Sequence, residues 1–383
     1  MDSNNFANEL KSYIAENTEA MFSVLKDLCL IPAPSHFEHK RAEYCKKWLE
    51  EAGAKGVYID EALNVIFPLN CEGSNELTVI AAHTDTVFPD TEPMPYHDDG
   101  EKIYNPGVGD DTVSVVVLLF MAKFLVEKNL VPKKGLLLVC NSCEEGLGNL
   151  KGTRQLFADF EGRIKQFITF DSNLSSISDK TAGSHRYEVT VETEGGHSYQ
   201  AFGRPNANAV LAQMIAKIYE IEVPVRPGSK TTYNVGTMSG GTSVNTISQS
   251  AKMLCEYRSN DRECLAEMKA HFEAIFESAR AEKVTVLVEQ VGDRPCSNVD
   301  PDRLEAFKAI VGPVIESVIG QPVTYRCSST DCNIPMSLGI PGLNVGVNVH
   351  YGAHRREEYL EKWSVPVGLE VAIRLATTLG EVF

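Results

Sequence analysis

The sequence predicts an α/β protein: a mostly parallel sheet with helices on both faces, interrupted by a smaller inserted α+β domain. Three observations carry this reading. Short, continuously apolar runs alternate with segments of helical periodicity over the first half of the chain. At about Ala182 the texture changes to strands that alternate apolar and polar residues, and after Pro295 the first texture returns. Strands separated by helices imply parallel pairing with both faces covered. The boundaries read as 1–181 and 296–383 for the larger domain and 182–295 for the insert.

The elements follow in order. "FANELKSYIAENTEAMFSVLKDLCLI" carries apolar residues at helical spacing and ends at "PAPS", where two prolines stop it. "EHKRAEYCKKWLEEAG" is a second amphipathic helix, closed by Gly53. "GVYID", "NVIFPL" and "LTVIAAH" read as strands. "DDTVSVVVLLFMAKFLVEKN" is too long and too apolar for an exposed strand and reads as a buried helix. "GLLLVCNS" is a strand, "LKGTRQLFADF" a helix and "QFITFDS" a strand. In the insert, "HRYEVTVETEG" alternates as a half-exposed strand does. The helix "NANAVLAQMIAKIYEI", the strands "TYNVGTMSGG" and "VNTISQSAKMLCEYRS", a helix near "CLAEMKAHFEAIFESARAE" and the strand "KVTVLVEQV" complete it. The larger domain closes with the helix "RLEAFKAIVGPVIESVIG", the strand "GLNVGVN" and the helix "WSVPVGLEVAIRLATTLGEVF".

Composition narrows the function. The formal charge is −16, from 36 basic and 52 acidic residues. That speaks against nucleic acid or an anionic membrane as a partner, since both select basic faces. The start, "MDSNNFANELKSY", lacks a basic stretch followed by an apolar core, so no secretory signal is expected. The run Val113 to Val126 is broken by Lys123 and is shorter than the roughly 20 residues that span a bilayer. Most of the 10 cysteines sit in apolar runs and read as small buried hydrophobes of a cytoplasmic, reducing compartment. Cys140 and Cys143 match C-x-x-C, but no second pair stands at zinc-finger spacing.

The chemistry gathers at the strand ends, where ligands bind in open α/β sheets. "LTVIAAH" ends in His83-Thr84-Asp85, "GLLLVCNSC" in Glu144-Glu145 and "QFITFD" in Asp171. "GVGDD" supplies Asp110 and Asp111, and "GLNVGVNVHYGAH" supplies His350 and His354. Singly, each is an ordinary turn residue or helix cap. Together, two histidines and several carboxylates are what a pair of divalent ions such as Zn²⁺ requires. In His83-x-Asp85 the carboxylate can lean on the imidazole and fix its tautomer. One of the two adjacent glutamates can hold metal while its neighbour takes the proton of a metal-activated water and passes it to a leaving amine.

With these residues in place the chain resembles the M20 metallopeptidases, di-zinc exopeptidases and amide hydrolases. "HTD", "GVGDD", "CEEGLGNLKG" and His354 before "REEY" match the family in order. The resemblance implies that His83, Asp110 and Asp171 hold one metal ion. It implies that Asp110, Glu145 and His354 hold the other, with Asp110 bridging, Glu144 as general acid/base and Asp85 orienting His83. It also implies a cis peptide between Asp110 and Asp111. The insert is similar to the family's lid and dimerisation domain. There "EGGHSYQA" matches the motif whose histidine, here His197, reaches the active site of a partner subunit and stabilises the tetrahedral oxyanion. Asn245 of "GGTSVNTI" and Arg258 of "CEYRSND" match positions that contact substrate, the arginine pairing with a carboxylate; Asp331 of "SSTDCN" resembles a residue near the substrate pocket.

Aspartate at position 171 resembles the aminopeptidase and dipeptidase branches, where deacylases and carboxypeptidases have glutamate. "GGTSVNTIS" and "STDCNI" look like the tripeptidase, or peptidase T, branch. The expectation is therefore a homodimeric, cytoplasmic exopeptidase that uses two divalent ions, Zn²⁺ with Co²⁺ or Mn²⁺ as alternatives. It hydrolyses short peptides from the amino end through a metal-bridging water. The alternatives are an N-acyl amino acid deacylase or carboxypeptidase reading a substrate carboxylate through Arg258, or a non-catalytic metal-binding module. A nucleophilic serine is not indicated, for no G-x-S-x-G follows a strand.

Overall fold

The computed structural model describes residues 3–382; the last residue of the expected final helix, Phe383, lies outside them. The described chain divides into two compact units, one running to Lys180 and resuming at Asn298, the other Thr181–Ser297.

The first unit is built on an eight-stranded sheet. Its order is Tyr58–Ile59, Val65–Leu69, Gly135–Asn141, Leu77–His83, Ile164–Thr169, Gly342–Val345, Ser176–Thr181 and Thr324–Ser328. The central strands, from Gly135–Asn141 to Gly342–Val345, pair in parallel. Antiparallel partners flank them at Val65–Leu69 and Ser176–Thr181. Because side chains alternate across a strand, one apolar run feeds two cores. Leu136, Leu138, Cys140, Ile80 and Ala82 join the cluster under the helices Ser3–Cys29, Val113–Glu127 and Ser364–Leu379. Leu137, Val139, Val79 and Ala81 pack on the opposite face with Leu156, Phe157 and Met336. That is why these strands show no apolar/polar alternation. The helix Val113–Glu127 is buried on nearly every side, as its composition requires.

The second unit is a four-stranded antiparallel sheet in the order Thr231–Gly240, Ser250–Ser259, Gly183–Thr193 and Val284–Arg294. One face packs on the helices Ala207–Tyr219 and Arg262–Ser278 through Tyr187, Val189, Met253, Met214 and Phe272. The side chains of Asn206 and Asp261 cap the two helices by accepting first-turn backbone N–H groups.

Several short features differ from the sequence reading. "GVYID" forms only the two-residue strand Tyr58–Ile59. The strand Ser176–Thr181 and the edge strand Thr324–Ser328 were not expected. A small sheet joins His350–Tyr351, Tyr359–Glu361, Lys102–Tyr104 and His97–Asp98. It carries His354 in the loop between its first two strands.

Candidate metal centre and catalytic site

Parallel strands end on one side of their sheet, so the register sets the site. His83 pairs with Asn141, which places the end of Leu77–His83 beside the turn that carries Glu144 and Glu145. The Asp85 carboxylate joins the two: Oδ1 accepts the Glu144 N–H at 3.0 Å, and Oδ2 accepts the Glu145 N–H at 2.9 Å and the Ser35 hydroxyl at 2.6 Å. His83 Nδ1 lies 3.4 Å from Asp85 Oδ1 and 3.1 Å from its backbone oxygen. Asp85 thus faces His83 and fixes the backbone of the glutamate pair as well. Burial would raise its pKa, but the hydrogen bonds from His83, Ser35 and Glu145 hold the carboxyl below its usual range.

Asp110 lies in the turn Val108–Thr112, whose backbone is non-helical at Asp110 and Asp111, and the peptide bond between them is cis. Its Oδ1 is 3.2 Å from His83 Nε2 and its Oδ2 is 3.2 Å from His354 Nε2. His354 Nε2 is also 3.2 Å from Glu145 Oε1. One carboxylate therefore presents each oxygen to a different imidazole. Three groups of side chains bring their nitrogen and oxygen atoms within 4.8 Å of one another: His83, Asp110 and Asp171; His83, Glu144 and Glu145; and Asp110, Glu145 and His354.

The electrostatics of this cluster are those of a site short of positive charge. Burial holds Asp171 well above the usual carboxylate range, and the Asp110 charge adds to it. Burial pushes Glu145 up to about 7, with Asp110 and Glu144 reinforcing it against the opposing His354 hydrogen bond. His83 is lowered by burial, yet the Asp110 and Asp85 carboxylates override this and hold it well above its ordinary value. Hydrogen bonds to Asp110 and Glu145 push His354 up to about 11. Four clustered carboxylates against two imidazoles leave a surplus of buried negative charge that a divalent cation relieves. Imidazole nitrogen and carboxylate oxygen are also the donors that borderline divalent ions prefer. The residues fit metal.

The structure reveals supports that single-sequence reading missed. Glu358, the second glutamate of "REEY", is buried and accepts the N–H groups of Gly107, Gly109 and Asp110 at 2.7, 2.8 and 3.0 Å. Burial, aided by the Asp110 charge, pushes it up to about 8. Glu38, also buried, accepts the Cys143 N–H at 3.0 Å and holds the left-handed residue that turns the chain into Glu144. Buried Arg41 donates to the Thr84 carbonyl at 2.9 Å and to the Thr112 hydroxyl at 3.0 Å. Gly109 is required because a Cβ there would run into the His350 ring. His350 itself stays out of the cluster, its Nδ1 2.7 Å from Asn348 Oδ1.

The remaining candidates are distributed as follows. Asp331 is fully buried, with one oxygen taking Asn141 Nδ2 at 2.6 Å and the other the Thr153 hydroxyl. Both carboxylate oxygens are engaged inside the fold. Burial, with the Glu144 charge, pushes it up to about 7. In the second unit, His197 is exposed and pairs opposite Thr246, and the Ser198 N–H donates to the Asn245 carbonyl at 2.9 Å. His197 and Asn245 thus share one loop cluster. Arg258 stands apart on Ser250–Ser259, where its Nε and Nη2 hold Glu256 at 2.7 and 3.0 Å.

Residues 79–378 match the model of peptidase family M20/M25/M40. The chain belongs to that family. Its members are metal-dependent hydrolases, and the chain is accordingly a hydrolytic enzyme. A Schizosaccharomyces pombe protein described as containing a peptidase M20 domain is 28% identical over 181 residues, which are 46% of this chain and 44% of that relative's length. Solved structures with the same fold include the aminopeptidase PepT of Bacillus cereus, at TM-score 0.71 and 20% identity over 96% of this chain and 99% of that one. A tripeptidase of Staphylococcus aureus aligns at 0.75 and 19%, over 95% and 99%. A dinuclear metal-binding M20 peptidase of Bacillus subtilis aligns at 0.67 and 16%, over 97% and 100%. Among the described residues no helix is long and apolar enough to cross a membrane.

Proposed function

We propose that this M20 protein is an exopeptidase that removes residues from the amino end of short peptides with the help of two divalent ions, Zn²⁺ by preference and Co²⁺ or Mn²⁺ as substitutes. The observation that carries the reading is Asp110, whose two oxygens face two separate imidazoles, each within a set of three ligand groups. His83, Asp110 and Asp171 would hold one ion; Asp110, Glu145 and His354 would hold the other. The B. subtilis peptidase, described as dinuclear, supports the count. Ions bound there would polarise the scissile carbonyl and lower the pKa of a water toward neutrality.

The chain's own residues do the rest. Glu144 is 5% exposed and its backbone is held by Asp85, so its carboxylate stays beside the ligands without being needed as one. It takes the proton of the attacking water and returns it to the leaving amine. Asp85 keeps the His83 imidazole turned toward Asp110. His197, exposed on the second unit, supplies a hydrogen bond to the developing oxyanion, in the reading we propose from a second copy of the chain. A homodimer through the second unit fits its exposed edge strand Thr231–Gly240. Ten cysteines, nine of them buried and Cys327 exposed, stand as thiols outside disulfides, which fits a reducing cytoplasm.

Amino-end specificity is supported by Asp171 and by the likeness in fold to PepT and the tripeptidase. The deacylase or carboxypeptidase reading loses ground because the Arg258 guanidinium already holds Glu256. The test is amino acid release from Ala-Ala, Ala-Ala-Ala and N-acetyl-Ala-Ala, with Zn²⁺, Co²⁺ or Mn²⁺ and with chelator. Cleavage of the free peptides alone, abolished by chelator, is expected. Cleavage of the blocked peptide alone would overturn the assignment.

A further inference from the structure

A cavity of about 550 Å³ opens in the first unit beside the strand end that carries Asp171. Its volume falls in the range of small-molecule sites. Val318, Ile319, Val349 and Val367 give it an apolar wall, and Tyr351 and Trp363, 52% and 60% exposed, form its aromatic side. Arg326, on the edge strand Thr324–Ser328, is the one charged side chain among the lining residues. It is also the one arginine among the described residues that engages no hydrogen-bond or ion-pair partner. On a chain of formal charge −16, a free guanidinium beside a cavity with an apolar wall on one side and Ser172, Asn173, Ser175, Ser176 and Gln321 on the rest is a specific feature rather than surface background. The last turn of Pro301–Ile319 and the first turn of Ser364–Leu379 both border the cavity. Their opposite dipole ends offset one another, so the guanidinium decides the sign of the ligand.

We propose that this cavity binds a small carboxylate with an apolar body. Arg326 grips the carboxylate in its planar fork, and Trp363 and Tyr351 cover the apolar part. Two sources share that chemistry: the carboxyl end of a bound peptide, and a free carboxylate bound on its own. The cavity is tied to the metal-binding side chains through the backbone. Its residues Ser172 and Asn173 directly follow Asp171, and the Asn173 side chain accepts the His350 N–H at 2.7 Å, four residues before His354.

Trp363 and Trp48 are the two tryptophans, so in a Trp48→Phe background the fluorescence reports on the cavity alone. The full chain is titrated with 4-methylpentanoate and with the neutral 4-methylpentan-1-ol, as purified and again with chelator. The proposal expects saturable quenching by the carboxylate in both conditions and at least about tenfold weaker binding of the alcohol. Arg326→Gln, at an exposed and unpaired side chain, should keep the fold and weaken carboxylate binding to the level of the alcohol. Equal binding of acid and alcohol, or an unchanged affinity in Arg326→Gln, would overturn it. Hydrolysis of Ala-Ala-Ala by the same variant separates the sources: a raised KM at unchanged kcat identifies the peptide's carboxyl end, and an unchanged KM with lost carboxylate binding identifies a separate ligand.

Discussion

The two units treat their polar residues in opposite ways. In the first, the sheet is covered on both faces, Asp85, Glu144 and Glu145 at its strand ends are buried, and the Asp85 carboxylate accepts the backbone N–H groups of both glutamates. In the second, the sheet is covered on one face, and its candidate residues His197 and Asn245 lie exposed in a loop cluster. Buried polar groups need their partners built in, whereas exposed ones can wait for a ligand or a partner to complete them. The first unit is thus preorganised for charge, and the second offers groups whose geometry is finished by what binds.

Substitutions at one residue of each kind sharpen that contrast. Glu144→Gln should lower kcat by about 10²- to 10⁴-fold with metal content unchanged, the range of a lost general acid/base. His197→Ala should lower kcat by about 10²- to 10³-fold, the cost of one oxyanion donor, while the melting temperature stays put because the side chain is exposed. Near wild-type kcat in Glu144→Gln would sink the mechanism.

Asp85→Asn comes next. It keeps the size of the side chain but removes the charge that faces His83 and the two glutamate N–H groups, so metal affinity should fall by about 10- to 100-fold, measured by competition with a fluorescent chelator. An unchanged affinity would mean that the contact is only structural.

Acidity provides a subtler test. Glu145 is raised to about 7 and Glu358 to about 8, so in the metal-free protein the folded state binds protons that the unfolded chain releases near pH 4.5. Such groups cost stability as pH rises between the two values. His354, raised to about 11, stabilises fully below the unfolded value of 6.5 and loses that contribution as pH climbs above it. All three act in the same direction. The melting temperature of chelated protein should therefore fall from pH 5 to pH 8, and added Zn²⁺ should raise it most at pH 8. A flat profile without metal would contradict the charge surplus.

The smallest effect belongs to the second unit's scaffold. Asp261→Ala removes the cap of Arg262–Ser278 and should cost about 1 kcal/mol in urea unfolding with metal binding intact.

Much of this was legible in the sequence because strand ends announce themselves. Continuous apolar runs closing on His83, Glu144 and Asp171 marked both the sheet and the groups it delivers, and the long apolar stretch after Asp111 marked a buried helix. What stayed hidden are residues whose role depends on approach from afar. Glu358 meets Gly107 across 251 positions, Glu38 meets Cys143 across 105 and Arg41 meets Thr84 across 43. No periodicity or spacing encodes such pairs. Short strands such as His350–Tyr351 and Tyr359–Glu361 escaped because two or three residues are too few to show alternation. Asp331 was legible as a motif but not as a buried anchor, since only the fold brings Asn141 and Thr153 to it.

The central claim is that Asp110 joins two ions into one working centre. The direct measurement strips the protein with chelator, adds Zn²⁺ stepwise, and follows Ala-Ala-Ala hydrolysis against bound metal per chain, for wild type and Asp110→Asn. The account predicts that wild-type activity returns as occupancy reaches two ions, and that Asp110→Asn retains at most one and stays inactive. Hydrolysis by the stripped protein, or an Asp110→Asn variant that holds two ions and works at the wild-type rate, would contradict it.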